Sequence, residues 1–176
     1  MYYIVLVPPN NAYTALLRAK RNIFSLTKMI SSWSLPPIVP LFCSEELPVK
    51  KTEAELPSVP VDGILFNKVN IVNKQFVIES KNIKSFSEEV ESVFDTRLIP
   101  LDFYGIHLLD PAEESGAEIK TIIESCLKDL PKSVLNWKTM SLEIISSELK
   151  FFANEGWWNK VYYKTVKELS FKKAVK

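Results

Sequence analysis

Histidine is the residue this sequence has least of: 176 residues include one, His107. Chemistry that needs two imidazoles from one chain, such as a general base paired with a general acid, is outside its means. Cysteine is almost as scarce, with Cys43 and Cys126 far apart and no CxxC pair. A zinc site needs a close set of Cys and His ligands, so no metal is expected. The two thiols read as reduced and mostly buried. The four glycines, Gly63, Gly105, Gly116 and Gly156, are too scattered for a phosphate-binding glycine loop or a dinucleotide fingerprint. GxSxG and HExxH are absent, and no cofactor is expected. No apolar run approaches the ~20 residues of a membrane span. The opening MYYIVLVPPNN has no basic region, and its apolar run is too short for a signal peptide. A cytoplasmic protein without a membrane partner is the expectation. An excess of one charge is lacking too. Lys and Arg total 22 against 21 Asp and Glu, a net charge of +1, so there is no global pull toward nucleic acid.

What is present is an ordinary globular composition, 47% hydrophobic and 24% charged. A chain this long buries roughly two thirds of its unfolded surface, enough for one domain over residues 1–176 without a disulfide or metal staple. Tyr2 to Val7 reads as a buried strand stopped by Pro8-Pro9, with Asn10-Asn11 as a cap for the next helix. In that helix Ala12, Leu16, Ala19, Ile23, Leu26 and Ile30 make one apolar face, with Arg18, Lys20, Arg21 and Lys28 outside it. Ile38 to Cys43 reads as a strand, and Pro40 within it predicts an edge or distorted strand. Residues 44–62 read as a long, mobile loop. Ile64 to Val72 and Gln75 to Glu79 predict a hairpin turning at Asn73-Lys74. Ser85 and Glu88 suggest a capping box before a helix that buries Phe86, Val90, Val93 and Phe94. A strand over Phe103 to Leu109 follows. Next comes a helix with an Ile119, Ile122, Ile123, Cys126, Leu127, Leu130 stripe, starting at Asp110-Pro111 or one turn later at Ser115-Gly116. Strands over Lys138 to Ile145 and Val161 to Phe171 complete an α+β chain, and residues 172–176 form a basic tail.

Two segments carry a resemblance. Pro37-Ile38-Val39-Pro40-Leu41 and Thr139-Met140-Ser141-Leu142 each lie on a strand, each after a long amphipathic helix, about one hundred residues apart. This layout resembles the 2H phosphoesterase superfamily, which includes bacterial 2′-5′ RNA ligase-like proteins and cyclic nucleotide phosphodiesterases. Those proteins carry two motifs of the form His, apolar, Thr or Ser, Leu. Trp157 to Tyr163 is similar to the family's closing strand. The resemblance implies two pseudo-symmetric lobes of antiparallel strands with helices outside and a cleft between them. It departs from the family at the functional positions. Ile38 and Thr139 stand where the histidines belong, and Pro40 stands at the first hydroxyl position. Ser141 keeps the second hydroxyl, and Val39, Leu41, Met140 and Leu142 keep the apolar ones. Strand alternation puts Ile38 with Pro40, and Thr139 with Ser141 and Glu143, on the faces away from the core.

In the family, the histidines act as base and acid on a 2′,3′-cyclic phosphate or 2′-5′ linkage, and the hydroxyls hold the phosphate. Loss of either proton-transfer role typically costs ~10²- to 10⁴-fold, so the implied reaction is not expected here. The first reading is a 2H-like domain that binds RNA ends, nucleotides or a protein partner at Ile38, Pro40, Thr139 and Ser141 without turning them over. One alternative is an active phosphodiesterase or ligase-like enzyme, with His107 as a lone base and Glu143 as its partner. The other is a scaffold domain whose former cleft is filled by side chains.

Overall fold

The computed structural model describes residues 1–101, 104–110, 116–148, 150–151 and 162–171. The strands are β1 (Tyr2–Val7), β2 (Val39–Ser44), β3 (Ile64–Val72), β4 (Gln75–Ser80), β5 (Ile99–Pro100), β6 (Gly105–Leu109), β7 (Asn136–Trp137), β8 (Ser141–Ser147) and β9 (Tyr163–Ser170). The helices are α1 (Asn10–Thr27), the single turn α2 (Ser31–Ser34), α3 (Ile83–Glu91) and α4 (Gly116–Leu127). They build an α+β fold with two antiparallel sheets, ordered β5-β2-β1-β8-β9 and β6-β4-β3-β7. No helix among the described residues is long and apolar enough to cross a membrane.

β1 lies in the middle of the five-stranded sheet because its short β-branched run is apolar on both faces. One face sends Ile4, Leu6, Val39, Leu142 and Ile144 into the main core, where Ala12, Leu16, Ala19 and Ile23 of α1 meet them. The other face carries Tyr3, Val5, Cys43 and Ile145 into a smaller cluster with Leu35, Ile38 and Phe151. Pro40 does not put β2 at the edge. The pairing slips by one residue between Ile4 and Val5, where β1 meets Phe42 and then Pro40. This bulge absorbs the proline inside the sheet.

Several local signals act differently from their sequence-based expectation. Pro9, not an asparagine, is the cap of α1, and it makes no side-chain cap bond. The helix ends at Thr27 through Lys28 in the left-handed region, and Leu26 and Ile30, expected on its apolar face, are exposed. The Ser85–Glu88 box does not form, because Ser85 is already inside α3 and Asn82 precedes it. The Asn82 amide is committed elsewhere. Its Nδ2 donates to the Gly63 carbonyl (2.7 Å), and its Oδ1 accepts from the Leu65 amide (3.2 Å) and the Ser80 hydroxyl (2.9 Å). Tertiary bonds to β3 take the place of a cap.

Segment 44–62 is tied to residues 92–96. The amide of Lys51 donates to the Val93 carbonyl, that of Asp95 to the Val49 carbonyl, and that of Val49 to Thr96 Oγ1. Leu56 and Val59 are buried. Among the described residues α4 runs from Gly116 to Leu127, and residues 111–115, which hold the choice between the two expected starts, lie outside them. Most of the expected closing-strand motif and the 172–176 tail also lie outside the described residues.

The β3–β4 hairpin follows its sequence signal: Asn73 and Lys74 both have positive φ, at 48° and 64°. Two left-handed residues match the twist of a two-residue hairpin, and the second position favours glycine. Lys74→Gly is therefore expected to stabilise the fold by about 0.5–1 kcal/mol, measured as a shift in the urea midpoint at unchanged slope.

Candidate functional site

Three places hold the sequence-derived site residues. The first is the second face of the five-stranded sheet. In register, Val5 of β1 lies between Pro40 of β2 and Glu143 of β8, and Val7 lies beside Ser141. Ile38 precedes β2 on the same face and packs in the cluster with Val5. The tertiary structure thus gathers Ile38, Pro40, Ser141 and Glu143 onto one face of one sheet, in two adjacent rows. Ile38 keeps only 4% of its surface exposed. Its surroundings are Leu35, Tyr3 and Phe151, the last two stacked with ring centroids 4.0 Å apart. The Phe151 amide also donates to Tyr3 Oη at 2.6 Å. Burial pushes the Tyr3 hydroxyl up to about 12, so it stays neutral. Pro40 is buried as well.

Toward β9 the same face turns polar and half-exposed. Ser141 pairs with Ser170 and Glu143 with Glu168, and Thr165 Oγ1 donates to Glu143 Oε2 at 2.9 Å. Tyr13 and Tyr163 both have raised pKa values, Tyr163 to about 12. Burial is the main cause in each, and the Glu143 charge adds to it. This corner offers hydroxyls and carboxylates.

The second place is a cleft of about 720 Å³. Thr139 lines it, in the turn between β7 and β8, and is exposed. Ile38 is not among the lining residues. Ile38 and Thr139, the two histidine positions, therefore do not face each other across this cleft, as the resemblance implied they would. The regular strand begins only at Ser141, so the two-residue period does not extend back to 139.

The third place surrounds His107, and here the reading of a lone base beside Glu143 is corrected. His107 is on β6, in the other sheet, with 0% of its surface exposed. A side chain with no surface does not meet a ligand. It lies against Asp110 (Nε2 to Oδ2, 3.5 Å) and near Lys20. Burial is the main cause of its lowered pKa; the Lys20 charge adds, while Asp110 opposes.

Lys20, placed outside the apolar face of α1 by its charge, is 1% exposed. Its Nζ donates to the His107 carbonyl at 2.6 Å, with the Leu108 carbonyl at 3.5 Å. β6 is the end strand of its sheet among the described residues, and Lys20 supplies a donor to it where a further strand would. Ser31 of α2 does the same for Asp110, accepting from its amide (3.0 Å) and donating to its carbonyl (3.3 Å). Burial drives the Lys20 ammonium down to about 7, against the opposing pull of Asp110. This buried Lys–His–Asp group closes a sheet edge. Of the three, only the burial of Lys20 is legible in the sequence, since it is four residues from Leu16 and three from Ile23 on the same helix.

No protein-family model matches the sequence, and no curated protein matches it.

Proposed function

We propose that the chain is a 2H phosphoesterase-like domain that has lost the family's proton-transfer pair and binds RNA ends or nucleotides without turning them over. The observation that carries this reading is the common face. Ile38 and Pro40 of the first degraded motif and Ser141 of the second lie in neighbouring rows of one sheet, on either side of β1, while Thr139 lines the separate cleft. Nothing in sequence spacing alone requires two segments a hundred residues apart to do so. Ile38 has no titratable group and is enclosed, Thr139 is a hydroxyl, and His107 is buried in the other sheet. Ser141 keeps a hydroxyl that can hydrogen-bond a ligand which is held and not attacked, with the Glu143 and Glu168 carboxylates beside it.

The test separates binding from turnover. Fluorescence anisotropy at low salt with an oligoribonucleotide ending in a 2′,3′-cyclic phosphate is expected to show saturable binding. Ser141→Ala is expected to weaken it by about 1 kcal/mol, a typical hydrogen bond. Chromatography of the same mixture is expected to return the cyclic end intact. Turnover above the buffer rate, or no binding at low salt, rejects the proposal. A second reading, a scaffold domain for a protein partner, is favoured by one observation: the Leu35, Phe151 and Tyr3 side chains that fill the space over Ile38.

A further inference from the structure

The cleft beside Thr139 has a composition that the motif face lacks. Lys128, Lys132 and Lys138 line it, together with Asn67 and Asn136, and no carboxylate is among its described lining residues. All three lysines are exposed. Among the described residues, the ion pairs lie elsewhere, at His107–Asp110 and Lys120–Glu124. The remaining wall is apolar, with Leu65, Leu130 and Leu135 prominent, and Leu65 leaves 43% of its surface open. The amino-terminal end of α1 borders the same space through Pro9 and Asn11, and its first turn holds no acidic residue.

Like charges gathered round a low-dielectric wall raise the local potential and concentrate anions. The near-zero net charge of the chain hides this patch, because the compensating carboxylates lie elsewhere. Three lysines match a dianion better than a single carboxylate, and the leucines provide a surface for an apolar or aromatic body. The volume of about 720 Å³ falls within the ~300–1,000 Å³ of small-molecule sites.

We infer that this cleft is a binding site for a phosphate monoester on an apolar or aromatic body, a ligand of mononucleotide size. The phosphate is held among Lys128, Lys132 and Lys138. The body lies on Leu65, Leu130 and Leu135, with the Asn67 and Asn136 amides at its edge. The inference rests on the lining of the cleft and goes beyond the family reading, which concerns Ser141 and the opposite end of the motif.

The experiment is a titration of the isotope-labelled full chain with AMP, adenosine and inorganic phosphate, followed by amide chemical shifts. AMP is expected to move residues 65–67 and 128–139, and to bind more tightly than either adenosine or phosphate. The double variant Lys132→Glu, Lys138→Glu is expected to lose about tenfold or more in AMP affinity, because it reverses two of three charge contacts. Lys132→Gln with Lys138→Gln, a milder change at exposed positions, is expected to lose affinity in the same direction if the charge-reversed chain does not fold. The site is overturned if millimolar AMP leaves those segments unmoved, if adenosine binds as tightly as AMP, or if a folded lysine variant binds AMP unchanged. AMP binding is read at Lys132 and Lys138 and oligoribonucleotide binding at Ser141, so the two proposals fail separately.

Discussion

Lys20→Met is expected to make the protein more stable than the wild type at about pH 6 and no more stable at about pH 10, so that the two stability curves cross. The cause is the buried ammonium. Lys20 is enclosed beneath the end of β6, and its pKa falls to about 7 in the folded state, against 10.5 for the free side chain. The sign follows from proton counting. Between these two values the unfolded chain holds a proton that the folded chain has shed, so wild-type stability rises with pH across that window. Below about 7 both states are protonated, and the folded state bears the full cost of a buried charge. That cost is on the order of 5 kcal/mol between the acid and alkaline limits. His107 adds a slope of the same sign below 6.5, because burial also lowers its pKa.

Methionine is close to lysine in length and carries no charge, so it removes the titration. It also removes the donor to the His107 carbonyl, a loss of about 1 kcal/mol or somewhat more for a buried acceptor. At acid pH the first effect exceeds the second, and at alkaline pH only the second remains. Urea unfolding at several pH values measures both. Parallel curves for the two proteins would show that Lys20 is not the group that titrates.

Trp137→Ala is expected to destabilise the fold by about 3–5 kcal/mol. The side chain is fully buried, its ring centroid is 4.4 Å from that of Phe66, and its Nε1 donates to the Val134 carbonyl at 3.0 Å. It also stands opposite Ile64, so it fixes β7 to the edge of β3. Alanine leaves a cavity beside Phe66 and deprives the Val134 carbonyl of its donor. For a chain of this size the loss corresponds to a fall of roughly 10 °C or more in Tm, read by circular dichroism. A fall below about 1 kcal/mol would mean that the β3–β7 edge, and the cleft wall it supports, lies outside the cooperative unit.

The two predictions concern residues that the sequence treats very differently. Trp137 has the large apolar side chain expected of a core residue, and it is core. Lys20 reads as solvent-facing by charge and is not, although its spacing from Leu16 and Ile23 places it on the buried side of α1. Charge is a good guide to exposure only where the covering surface has no unmet acceptor. Here the end strand β6 presents carbonyls to the helix, and a lysine satisfies them. The same long-range fact fixes His107. Alternation along β6 leaves the facing of its side chain open, and the packing of α1 and α2 over that edge encloses it.

The sequence by itself determined the helix and strand identities of most segments, because a period of 3.6 or 2 is written locally. It determined the Asn73-Lys74 turn, because few residue pairs accept two positive φ angles. It also determined that no pair of imidazoles from this chain can meet. Only the tertiary structure decided that Pro40 sits in a bulge within the sheet, that Ser141 and Ile38 share a face while Thr139 leaves it for a lysine-lined cleft, and that Lys20 and Asp110 surround the single histidine. These are matters of strand register and edge covering between segments up to a hundred residues apart. Periodicity sorts side chains within an element, but it carries no information about which element lies across from it.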